Sequence, residues 1–123
     1  MAKPISRQMH AATDYAYAAF IAAAPELIGY KNNETAAGLS RAVGSEVLLA
    51  SLMTRYELGL IPAMSFKAHL TADVVAGLLT MTAPWLFGFS NNRRARNTFL
   101  GFGAFSVMAG LLTEPREMSG NQQ

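Results

Sequence analysis

The chain has 123 residues, one domain's worth, with 51% hydrophobic and only 15% charged residues, against roughly 25% charged in soluble domains. Its net charge of +2 and pI of about 9.2 come from scattered basic residues and one short cluster, Arg93-Arg94-x-Arg96, so nucleic acid is not expected as a partner. With no cysteine, thiol catalysis, disulfides and cysteine-ligated metals are excluded.

Basic Lys3 and Arg7 precede an apolar stretch, as in a secretory leader. Asp14 interrupts that stretch, Pro25-Glu26 follows it, and the same segment recurs in mid-chain, so a retained first span is expected. Four apolar segments follow one another: residues 11–30, 35–53, 68–89 and 98–113. A bilayer core of about 30 Å takes about 20 helical residues. The second segment is the least apolar, since it carries Arg41 and Glu46. Residues 31–34 and 90–96 join the members of each pair, and Gly followed by Asn-Asn is turn chemistry that ends helices. Residues 54–67, with Gly59 and Pro62, form the boundary between a first unit, 1–59, and a second, 60–123. The polar tail 114–123 is expected to be mobile.

These units repeat one another at an offset of 59 residues. His10-x3-Asp14 recurs as His69-x3-Asp73, and Ala24-Pro25-x-Leu27-x-Gly29-Tyr30 as Ala83-Pro84-x-Leu86-x-Gly88-Phe89. Asn32-Asn33 matches Asn91-Asn92, and the register holds through Gly44/Gly103, Ala50/Ala109, Leu52/Leu111 and Thr54/Thr113. One gap-free offset along the chain marks one structural unit used twice. The expected fold is all-α: a four-span transmembrane bundle of two tandem helical hairpins, related by a pseudo-two-fold along the membrane normal because each hairpin returns the chain to its starting side. A soluble bundle would need a charged stripe on every helix, and the sixteen residues after Asp73 hold no charge. Basic residues are balanced between the two sides, with Arg93, Arg94 and Arg96 leaning theirs towards the cytoplasm.

The segment Asp73-Val-Val-Ala-Gly77-Leu-Leu-Thr-Met-Thr-Ala83-Pro84-Trp85-Leu-Phe-Gly88-Phe89 resembles the SPW-repeat family of small bacterial integral membrane proteins. Those repeats place an aspartate early in a span, a small residue a turn later, and Ser-Pro-Trp before a Gly-aromatic end. Here Ala83 stands for the serine, and the first copy has Glu26 in the tryptophan's place. The resemblance implies a four-span protein of the bacterial cytoplasmic (inner) membrane with paired repeats. It carries over no catalytic residue.

The sharpest constellation is His10/Asp14 with His69/Asp73. Spacing of i, i+4 puts both groups on one helical face. The repeat can bring all four to one depth, where two imidazoles and two carboxylates suit a divalent metal, or two histidines suit the axial positions of a haem. Handling of protons is a third reading, and mutual hydrogen bonding at a span entrance is the plain one. Glu46 falls mid-span, where an acid costs about 2.5–3.5 kcal/mol, and its counterpart is Phe105. It needs pairing, protonation or a polar cavity, and Arg41, five residues away, is an imperfect partner. Pro25 and Pro84 break the helical ladder, Gly29 and Gly88 finish it, and Tyr30, Trp85, Phe87 and Phe89 fit an interfacial aromatic belt. Gly38, Ser40, Gly44, Gly101, Gly103, Ala109 and Gly110 give small faces for close packing between the repeats or against a neighbour.

No phosphate loop, Gly-x-Ser-x-Gly or His-Glu-x-x-His is present. The expected function is therefore non-catalytic: an accessory or structural subunit of a membrane complex, or a homo-oligomer, with the lipid bilayer and other membrane subunits or itself as partners. The alternatives are a metal- or haem-binding redox protein using His10 and His69, and a small proton or ion transporter using Glu46.

Overall fold

The structure is a computed structural model that describes residues 3–118; the last part of the expected mobile tail, 119–123, lies outside them. Among the described residues it is all-α: α1 (Arg7–Ala24), α2 (Glu34–Leu52), α3 (Phe66–Leu86) and α4 (Arg93–Leu112), with a wider helical turn over Pro25–Gly29 closing α1. α1 packs along α2 and α3 along α4. The two hairpins meet chiefly through side chains. No described helix is long and apolar enough to cross a membrane.

Each helix begins where a side chain takes up its free N–H groups. Ser6 accepts from the Met9 N–H and Ser65 from the Ala68 N–H, both at 3.1 Å. Asn33 accepts from Ala36 and Asn92 from Ala95, both at 3.0 Å. These caps move the boundaries from those expected. Ser6 starts α1 a turn before residue 11, and Asn92 draws Arg93, Arg94 and Arg96 out of the connector and into the first turn of α4. The proline-glycine device works the same way in both copies. The Tyr30 N–H donates to the Pro25 carbonyl at 2.9 Å and the Phe89 N–H to that of Pro84 at 2.8 Å. Gly29 and Gly88 between them take the left-handed conformation, with φ of 100° and 77°. This is the six-to-one bond of a Schellman end, which uses glycine because a Cβ is disfavoured there. Both prolines are fully buried.

The small residues serve a different contact from the one expected. A Cβ on Gly44 would stand 2.9 Å from the Ala18 carbonyl oxygen, and one on Gly103 would stand 2.7 Å from that of Gly77. They let α2 approach α1, and α4 approach α3, within each hairpin, instead of joining the repeats. Gly38 and Gly101 face open space.

At the connector end, Ala24, Tyr30, Ala36, Ala83, Phe89, Ala95 and Phe99 form one buried cluster drawn from both hairpins. The opposite end is closed by matched backbone contacts. The Ile5 N–H donates to Leu112 and the Glu114 N–H to Ile5; correspondingly, the Met64 N–H donates to Met53 and the Arg55 N–H to Met64. Each pair is the other shifted by the repeat offset, with the partner taken from the other hairpin's side of the chain. Much of the interior is small or polar, with Ser40, Ser51, Thr54, Thr80, Thr98 and Thr113 buried among alanines and glycines. Leu49, Leu78, Leu79, Leu86, Phe20, Phe87, Met108 and Leu111 are exposed.

Candidate functional site

The serine caps fix where α1 and α3 begin, so His10 and His69 each fall on the fourth residue of their helix and Asp14 and Asp73 one turn further. All four converge at the repeat interface. The Nε2 of His10 lies 2.8 Å from Asp73 and 3.3 Å from Asp14. The Nε2 of His69 lies 2.9 Å from Asp14 and 3.3 Å from Asp73. The shorter contact of each histidine is thus to the other copy's aspartate, not to its own i+4 neighbour. Both histidines are 1% exposed and Asp14 is 7% exposed.

The far side of each ring is anchored too. Nδ1 of His10 is 2.8 Å from the Thr113 hydroxyl and Nδ1 of His69 is 2.7 Å from that of Thr54. Each hydroxyl donates its only hydrogen to the carbonyl four residues back, Ala109 or Ala50. The threonine oxygens must therefore accept, so both Nδ1 atoms carry hydrogen and both Nε2 atoms face the carboxylates. Nε2 of His10 then shares a proton with Asp73 in a formed hydrogen bond, whereas Nε2 of His69 lies close to Asp14 without forming one; with one proton for each histidine–aspartate pair the four groups sum to zero charge. Neutrality meets what burial requires, and the unbonded His69 nitrogen does not.

Aromatic side chains seal the cluster. Phe66 meets His10 edge-on at 5.6 Å and the histidine rings meet at 5.4 Å and 83°. The Tyr56 hydroxyl donates to Asp14 at 3.0 Å; burial and the Asp14 carboxylate push this phenol well above its usual range. The adjoining cavity, beside Asp14, Asp73, Tyr17 and Ser106, measures about 10 Å³, room for one water. A porphyrin between the two Nε2 atoms would need the volume held by the carboxylates and Phe66, so the geometry favours a small ion over a haem. The larger groove of about 680 Å³, lined by Tyr17, Phe20, Phe102 and Phe105, is open and apolar, runs between α1 and α4, and shares Tyr17 and Phe105 with the small cavity beside the quartet.

The remaining candidates lie elsewhere. Arg41 pairs not with Glu46 but with Glu26, at 2.8 Å, on the surface. Their counterparts at the repeat offset, Leu100 and Trp85, are apolar. Glu46 faces outward from α2, beside Ala42, Ser45, Leu49 and Met53. Pro25, Gly29, Pro84, Trp85 and Gly88 end their helices at the connector end, away from the quartet, with Trp85 exposed. Thr54, Thr113, Tyr56 and Phe66 complete the site without having been singled out from sequence. Thr54 and Thr113 do match at the repeat offset, at helix ends, and that was a usable signal.

The SPW repeat domain family matches residues 8–113 of the chain. Neither a curated protein nor a solved structure gives a match.

Proposed function

The chain belongs to the SPW repeat domain family, and from that premise we propose that it is a non-catalytic membrane-embedded module, an accessory or structural subunit of a membrane assembly, which in bacteria means the cytoplasmic membrane. The observation that carries this reading is the inverted distribution of polarity. Leu49, Leu78, Leu79, Phe20, Phe87, Met108 and Leu111 line the outside, while the interior holds, beside Phe66, Phe89, Phe99 and Leu70, the histidines, Asp14 and several serines and threonines, which a soluble bundle would turn outward. Helices of 18, 19, 21 and 20 residues measure about 27–32 Å, close to the roughly 30 Å of a bilayer core. Hydropathy along a single helix counts His10, Asp14, His69 and Asp73 at full weight, although in the bundle they face one another. The two hairpins then share an orientation about a pseudo-two-fold along the membrane normal, which the matched contacts of the two copies support.

Glu46 adds a partner to this reading. An acid on an outward face halfway along a span is costly against lipid and is stabilised by a polar group on a neighbouring helix. That neighbour is a second copy or another subunit. For transport, Glu46 would have to line an interior path, and its outward position gives that role no support.

The test is fractionation of cells expressing the chain, followed by mass measurement in mild detergent. Retention in the membrane after alkaline washing, a mass above the monomer, and reversion to monomer on Glu46→Leu are expected. Recovery in the wash overturns the membrane reading, and a monodisperse, partner-free monomer overturns the subunit reading.

A further inference from the structure

We propose that His10, Asp14, His69 and Asp73 form a structural site for one divalent transition ion of the zinc class, held between the two repeats. Three independent features of the quartet point this way.

The first is shape. One ligand atom from each residue can be chosen so that all four lie within 4.8 Å of one another; His10 and His69 contact Oδ2 of Asp73 at 2.8 and 3.3 Å, and Oδ1 and Oδ2 of Asp14 at 3.3 and 2.9 Å. A tetrahedron with metal–ligand bonds of about 2.0 Å has edges of about 3.3 Å. The nitrogen–oxygen contacts are already near that length, and binding requires Asp14 to turn a single oxygen to both histidines and the wider separations of the set to close towards it.

The second is the state of the imidazoles. A metal-bound histidine offers one nitrogen to the ion and donates the other N–H to an acceptor that orients the ring. Thr54 and Thr113, committed as acceptors by their own bonds to the carbonyls of Ala50 and Ala109, impose this arrangement on both rings at once. The Nε2 lone pairs are left for the interior.

The third is a defect in the metal-free bonding. Nε2 of His69 is buried, close to two carboxylates, and in hydrogen-bonding line with neither of them. A buried nitrogen without a well-formed bond needs an explanation, and an ion among the four groups supplies it. Charge agrees: two carboxylates and a divalent cation sum to zero, replacing the two protons of the histidine–aspartate pairs. Two nitrogens and two oxygens suit Zn²⁺ or Co²⁺, whereas Mg²⁺ and Ca²⁺ require more oxygen ligands.

The experiment uses the full chain in mild detergent, stripped with chelator and titrated separately with Zn²⁺ and Co²⁺. Expected are one ion per chain by elemental analysis, the intense visible bands of four-coordinate Co²⁺, and a melting temperature that rises with ion concentration. His69→Gln keeps a polar group of similar reach and is expected to weaken binding at least about 100-fold. Thr54→Val, which keeps the shape of the side chain and removes the acceptor, should weaken it about 10–100-fold, and it decides the matter if His69→Gln does not fold. A stripped, helical chain that takes up neither ion at micromolar concentration overturns the proposal, as does uptake unchanged in both variants. A chain that remains in the membrane yet binds no ion overturns this inference alone and leaves the module reading standing.

Discussion

At the end of the bundle where α1 and α3 begin, the two copies keep the same residues in the same contacts: serine caps, histidine, aspartate, and a threonine closing the helix of the other hairpin. At the connector end and along the outer faces they diverge, but in matched steps. Tyr30 bonds Ser40 through its hydroxyl at 2.6 Å, where the second copy sets Phe89 edge-on to Phe99 at 4.9 Å. Glu26 and Arg41 pair where the second copy has Trp85 and Leu100. The difference follows from who the partner is. In the quartet each residue's closest partner belongs to the other copy, so a change in one copy strands a group in both. In the divergent pairs both partners lie in one copy, and they can change together.

The largest effect should come from stranding a charge. Asp73→Ala leaves His10 without its closest partner and is expected to destabilise the fold by about 3–5 kcal/mol, and Asp14→Ala by somewhat more, since it strands the Tyr56 hydroxyl as well as His69, with the double variant costing less than the sum. Denaturant titration in detergent checks this, and single effects that stay unequal in a Tyr56→Phe background would break the equivalence of the two copies. Next come the close helix contacts. Gly44→Leu and Gly103→Leu should each cost about 1–3 kcal/mol through overpacking, whereas Gly38→Ala and Gly101→Ala, which face open space, should stabilise by up to about 1 kcal/mol. Thermal melts of the four variants distinguish packing glycines from idle ones. Asn33→Ala and Asn92→Ala should lose about 1 kcal/mol each, and equally. Glu26→Trp combined with Arg41→Leu, which writes the second copy's pair into the first, should fold better than either single change, as a double-mutant cycle would show.

The smallest effect concerns a contact with no counterpart in the second copy. The Arg7 guanidinium grips Glu57 at 2.7 and 2.9 Å and holds its carboxyl below the usual range. A depressed carboxyl stabilises the fold above its ordinary pKa of about 4.3 and loses that contribution as pH falls through the depressed value. The melting difference between the native chain and Glu57→Gln should therefore be present at neutral pH and close on acidification.

Much of this was legible in the sequence, because a repeat marks structural positions by comparison with itself. The offset placed the helix pairs, the glycine ends and the His/Asp faces. It did not show that His10 reaches Asp73 before Asp14, because a sequence displays the i+4 neighbour and hides the partner across an interface. Nor does it show that Arg41 serves Glu26, because the repeat marks what both copies share and is silent on two positions that differ together. The start of α4 differs from the expected connector because the Asn92 cap admits Arg93, Arg94 and Arg96 to the helix, where composition alone suggests a turn.

The crossed closure of the chain has a consequence for how this fold is wired. Ile5 sits against Thr113 as Met64 sits against Thr54, so the segment leading into each hairpin is held by the segment leaving the other. Two hairpins made as separate chains would each still supply the histidine, aspartate and threonine that the other lacks.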